Sequence, residues 1–112
     1  MERLSKENPN LDPIVTCICK TADPEKIILF GSLSRGDNRP ESDIDLLIIK
    51  SGTYDRVRLL GDIYVNLHGI RQSVDIVICS PEEIEKFKKI NYSTLYPALR
   101  EGTVIYENEM VA

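Results

Sequence analysis

The chain has 112 residues, which fits one domain with a sizeable core and leaves no room for a second. With 42% hydrophobic and 29% charged residues, it reads as neither a disordered tail nor a membrane protein. Fourteen Lys and Arg against eighteen Asp and Glu leave a net charge of -4, which argues against sequence-independent coating of nucleic acid.

Residues 1–10 read as a loosely ordered lead, charged and polar, without the apolar stretch of a secretory signal. No apolar run approaches the ~18 residues of a membrane span, so a cytoplasmic protein without membrane contact is expected. Asp12 can cap a helix with Pro13 at its first position, and Leu11, Ile14, Val15, Ile18 and Cys19 then share one helical face. Ala22-Asp23-Pro24 ends it. Lys26 to Phe30 is a short apolar, β-branched run stopped by Gly31 and predicts a buried strand. A polar segment follows from Gly31 to Ser42. Asp43 to Lys50 is a second strand, almost wholly apolar after its two aspartates, as a strand covered on both faces should be.

Ser51 and Gly52 close that strand. From Thr53 to about Gly69, Val57, Leu60, Ile63, Tyr64 and Leu67 keep helical spacing while Arg56, Arg58 and Asp62 fall off the stripe, which predicts the longest helix. Ser73 to Cys79 is a third strand. Ser80-Pro81-Glu82-Glu83 is a capping box with proline at the first helical position, opening a helix to about Ile90. Ser93 to Glu101 reads as a further helix weakened by Pro97 and ended by Gly102, and Thr103 to Glu107 as a last strand. The expectation is an α/β (α+β) domain over residues 1–112, a small mixed sheet of about four strands flanked by about four helices. Cys17, Cys19 and Cys79 are odd in number, follow no zinc spacing, and read as free thiols of a reducing compartment.

Asp43 and Asp45 stand one residue apart on a strand, so their side chains leave the same face with Cα atoms about 6.5 to 7 Å apart. Taken alone, the pair reads equally well as a hard-cation site or as an exposed acidic strand end. Asp75 is the first acid of the next apolar strand, and if the two strands are neighbours the three carboxylates can converge. Such an oxygen-rich site suits Mg²⁺, and two such ions could clamp an in-line displacement at phosphorus. Upstream, Gly31-Ser32-Leu33-Ser34-Arg35-Gly36 follows directly from a strand. Gly31 permits a sharp turn and close approach to a ligand, and Ser32 offers a hydroxyl and an N–H for phosphate oxygens. It lacks the Gly-Lys-Ser/Thr ending of a Walker loop.

The combination Gly31-Ser32, Arg35-Gly36, Ser42-Asp43-Ile44-Asp45 and Asp75 closely resembles the minimal nucleotidyltransferases of the DNA polymerase beta-like superfamily, over roughly Leu11 to Glu107. The resemblance implies that Gly31 and Ser32 hold the β- and γ-phosphates of a nucleoside triphosphate; Arg35 reads either as added positive charge nearby or as a solvated or structural arginine. It implies that Asp43 and Asp45 bind two Mg²⁺ ions, and that Asp75 completes the metal site and helps deprotonate the acceptor hydroxyl. The implied reaction is attack of that hydroxyl on the α-phosphorus, with AMP taken from ATP and pyrophosphate leaving. Larger members of the superfamily carry acceptor-binding domains, and none is expected here, so the acceptor is expected to be a separate protein. By the same resemblance that protein is a HEPN-type toxin, and this chain its antitoxin.

Leu47, Ile49 and Val77 share strand faces with the aspartates, with no covering helix evident, so an exposed apolar patch is expected there. Alternative readings are an antitoxin acting by contact alone, or transfer to a small molecule or an RNA end. The oligomeric state is open, homo-oligomers included. His68 is expected at the surface or in a cap, the tyrosines in packing, and Arg56 and Arg58 on a solvated face or lining a nucleotide cleft.

Overall fold

In a computed structural model of the chain, residues 9–30, 43–89 and 102–108 are described. Helix α1 spans Leu11–Ala22, and its stripe of Leu11, Ile14, Ile18 and Ala22 is buried. It starts two residues earlier than the sequence suggests. Asn10, without a side-chain cap bond, is its N-cap, and Asp12 is not a cap but an exposed acid in the first turn. Burial of Leu11 draws that residue into the helix, and Asp12 still favours the positive end of the helix dipole. At the other end Asp23 takes a left-handed conformation (φ 47°, ψ 59°) and its N–H bonds the Cys19 carbonyl, after which Pro24 forbids continuation.

Strand β1 is Lys26–Phe30, β2 is Ile44–Ile49, β3 is Val74–Cys79 and β4 is Thr103–Glu107. They form one mixed sheet in the order β3-β2-β1-β4. β1 runs antiparallel to both β2 and β4, and β2 runs parallel to β3. The parallel pair needs a crossover, supplied by helix α2, Arg56–Asn66, while α3, Pro81–Lys89, follows β3. Between Ile27 and Ile28 the β1–β4 register shifts by a bulge, so the adjacent residues Ile105 and Tyr106 both pack against the main core.

Alternation along the strands divides the core between the sheet's two faces. Ile27, Leu29, Ile44, Leu46, Ile48, Ile76 and Ile78 join the α1 stripe, Ile63 and Leu67 on one face. Ile28, Leu47, Ile49 and Cys79 join Ile84 of α3 on the other. Leu46, Leu47 and Ile48 are all fully buried, which is why β2 reads as a continuous apolar run.

Three further expectations need correction. The longest helix among the described residues is α1, with 12 residues against 11 in α2. On α2, Ile63 is buried and Leu67 just beyond it is buried too, whereas Val57 is 82% and Tyr64 42% exposed, so the apolar stripe is narrower than its sequence spacing implies. The patch of Leu47, Ile49 and Val77 is not open, because Leu47 and Ile49 lie in the second core cluster with Ile84, and only Val77, 36% exposed, meets solvent. The expected helix over 93–101 lies outside the described residues.

Candidate active site

Asp45 occupies the second position of β2 and Asp75 the second position of β3, and the parallel register pairs them directly. On its other side Asp45 is paired with Phe30, the last residue of β1. One rung of the sheet thus carries Phe30, Asp45 and Asp75 side by side, with neighbouring strands about 4.8 Å apart. Asp43 precedes β2 by one residue and falls on the same face by alternation. The backbone around this rung is held by the Ile44 N–H donating to the Ser73 carbonyl at 2.9 Å.

Asp45 is half-buried and Asp43 and Asp75 are exposed. Burial pushes the Asp45 carboxyl above its ordinary value, and the charges of Asp75 and Asp43 and a hydrogen bond shared with Asp75 push it further the same way. The bare site thus disfavours a second negative charge beside Asp75. A divalent cation would offset that charge. Among the described residues no three His, Cys, Asp or Glu side chains are gathered as a ready ligand set. What the structure brings together is the pair Asp45–Asp75, with Asp43 near enough to act on Asp45 by its charge. Gly31, Ser32 and Arg35 lie outside the described residues, although the chain leaves β1 toward them from Phe30, beside Asp45.

The opposite ends of β2 and β3 hold a different cluster. Ser80 and Glu83 form the capping box, the Glu83 N–H donating to Ser80 Oγ and the Ser80 N–H to Glu83 Oε1, both at 3.1 Å. Arg56, at the start of α2, grips the same Glu83 carboxylate with both guanidinium nitrogens, one at 3.2 Å. Arg56 is therefore committed to α3 and does not line a cleft around the aspartates. Its grip, with the capping bonds, holds the Glu83 carboxyl down to about 2.

Arg58 is exposed, its backbone N–H donating to the Asp55 N-cap. His68 is exposed, as expected, and Tyr54 is half-buried, with its hydroxyl donating to the Lys50 carbonyl at 3.1 Å. Tyr64 was expected to pack by its ring, but its hydroxyl also accepts the Ile76 N–H at 3.1 Å, one residue after Asp75. Nothing in the spacing distinguishes such a tyrosine from an ordinary stripe residue. A cavity of about 670 Å³ lies elsewhere, against Thr16, Cys17, Lys20 and Thr21 of α1 and Asn66 of α2. It contains none of the aspartates.

Residues 13–110 match the family described as polymerase beta, nucleotidyltransferase. A candidate protein adenylyltransferase of Methanocaldococcus jannaschii is 43% identical over 82 residues, 73% of this chain and 78% of that protein. Among solved structures, a candidate nucleotidyltransferase from Sulfolobus solfataricus is similar with a TM-score of 0.63 at 20% identity, over 96% of this chain and 86% of its own. The complex of a tri-AMPylated Shewanella oneidensis HEPN toxin with its MNT antitoxin gives a TM-score of 0.58 at 16% identity, over 94% of this chain and 76% of that one. A toxin-antitoxin complex with AMP-PNP gives 0.57 at 17%, over 88% and 75%. At these identities the solved structures speak for the fold.

Proposed function

The chain belongs to the polymerase beta nucleotidyltransferase family, and from that premise we propose that it moves AMP from ATP to a hydroxyl of a partner protein, as the antitoxin of a HEPN-type toxin. Nucleotidyl transfer follows from the family; the nucleotide, the acceptor and the partner are the proposal. The M. jannaschii relative, named for protein adenylylation, supports the acceptor class, and the fold shared with a chain of a tri-AMPylated HEPN toxin complex supports the partner. The observation that carries the reading is the Asp45–Asp75 rung, reinforced by Asp43, at the point where β1 hands over to Gly31-Ser32.

The donor set fits a divalent cation: hard oxygen ligands, adjacent strands, and an Asp45 whose anionic form is disfavoured until positive charge arrives. Asp43 and Asp45 would hold two Mg²⁺ ions, with Asp75 sharing the one nearer the acceptor; bound there, they would neutralise phosphate charge and lower the hydroxyl's pKa. Gly31 and Ser32 would bind the β- and γ-phosphates through backbone N–H groups and the Ser32 hydroxyl, and Arg35 would add charge beside them. The acceptor oxygen attacks the α-phosphorus, its proton passes to the exposed Asp75 carboxylate, and the bond from phosphorus to the bridging oxygen breaks as pyrophosphate leaves. Positioning and charge neutralisation supply most of the acceleration in such transfers.

The test compares ATP labelled on the α-phosphate with ATP labelled on the γ-phosphate, added with Mg²⁺ and the protein to a lysate of its source cells. Label from the α-position alone on a protein band, lost with Asp43→Asn plus Asp45→Asn, is expected. Unchanged transfer by that double variant overturns the mechanism. Absence of label from either position, with a co-purified toxin still neutralised, selects the contact-only antitoxin instead.

A further inference from the structure

Resting on the reading of Asp75 as part of the transfer site, we propose that Tyr64 is a positioning residue for that carboxylate. β3 is an edge strand of the sheet among the described residues, so only β2 fixes it by a backbone ladder. The Ser73 and Cys79 carbonyls accept the Ile44 and Lys50 N–H groups, so the odd-numbered carbonyls of β3 face β2. The Ile76 amide therefore faces the open edge, where a strand ordinarily presents unpaired donors to solvent or to another chain. Here it does neither, because the Tyr64 hydroxyl reaches across from α2 and accepts it at 3.1 Å.

The contact matters because of where it falls. Asp75 is the residue directly before Ile76, at the entry end of β3, and only one register pair, Ile44 with Val74, precedes it. Strand ends fray most readily, and Asp75 lies one residue from such an end. Tyr64 holds the same stretch from the side away from β2, and its own place is fixed by neighbouring Ile63, fully buried in the core. The stretch from Asp75 to Ile76 is thus held from both sides, by the β2 ladder on one and by the phenol at the Ile76 amide on the other. Its carboxylate itself remains exposed, as a group that must meet an external hydroxyl has to be. Tyr64 touches neither reactant in this scheme; it acts by keeping Asp75 level with Asp45.

Tyr64→Phe in the full chain removes one oxygen and keeps the ring. Transfer from α-labelled ATP is expected to lose about three- to tenfold in kcat, with KM for ATP within about twofold, since misplacing a catalytic group weakens the transition state more than ground-state binding. Amide exchange followed by NMR should quicken at Ile76 while Val77, whose amide faces β2, stays within about twofold, a local pattern that global loosening would not produce. An unaltered kcat, or a uniform quickening of all strand amides, overturns the proposal. Asp75→Asn assayed in parallel separates the two levels: if it remains active, the reading of the site fails, whereas an inactive Asp75→Asn beside a fully active Tyr64→Phe leaves the site standing and removes only the clamp.

Discussion

Asp45 sits in a place that disfavours its own charge. Burial and two neighbouring acids all raise its pKa, so in the metal-free protein its protonated form contributes stability that is complete below the ordinary 3.8 and lost as pH rises through the higher folded-state value. Removing one of the like charges should therefore relieve the folded state. Asp75→Asn is expected to stabilise the metal-free protein near neutral pH by about 0.5–1 kcal/mol, a rise of a few degrees in melting temperature, while transfer is lost. Mg²⁺ should raise the melting temperature of the wild type and raise that of Asp75→Asn less, since Asp43 and Asp45 remain; calorimetry with and without the ion checks both. The spacing of Asp43 and Asp45 and the position of Asp75 in an apolar strand were readable because a period of two fixes which way side chains point. Tyr64 was not, because a helical tyrosine looks the same whether its ring packs or its hydroxyl reaches a strand.

The start of α3 shows how far local chemistry alone can specify an element. Ser80 and Glu83 satisfy each other's backbone N–H groups as the four-residue motif requires, and Arg56 then joins α2 to α3 through the same carboxylate. Glu83 is held at about 2, so its stabilisation is present above the ordinary 4.5 and lost as pH falls toward 2. Arg56 is about half exposed, which leaves the ion pair itself worth little and the cap most of the effect. Glu83→Ala, which removes the capping oxygen, should lower stability by about 1 kcal/mol at neutral pH, with the difference from wild type narrowing toward pH 2; urea titrations across that range measure it. Arg56 could not be assigned from sequence, since its partner lies on another helix. The over-wide stripe on α2 has a similar origin. Periodicity marks Val57 as eligible for burial, but it stands in the first turn of the helix and is 82% exposed. The strands were easier: β1 and β4 fall at the expected residues, because uninterrupted β-branched runs between turn residues admit few other readings.

At the level of the whole molecule, the sheet order β3-β2-β1-β4 sets β1 in the interior between β2, the next strand in sequence, and β4, the last of the described strands. The antiparallel β1–β2 pair can form without β3, but the parallel β2–β3 pair requires the α2 crossover to be in place. Pairing over such separations is slow relative to helix formation. During refolding from urea, far-ultraviolet circular dichroism should therefore recover before nucleotidyl transfer does, with activity following the last phase in a quenched-flow comparison. The rung of Asp45 and Asp75 has a consequence here. A half-made sheet owns one carboxylate of the pair and lacks the other, and a slip of one residue between β2 and β3 sends them to opposite faces. Competence is thereby proofread by topology: a nascent or misregistered chain lacks the paired carboxylates, and only a finished one holds both.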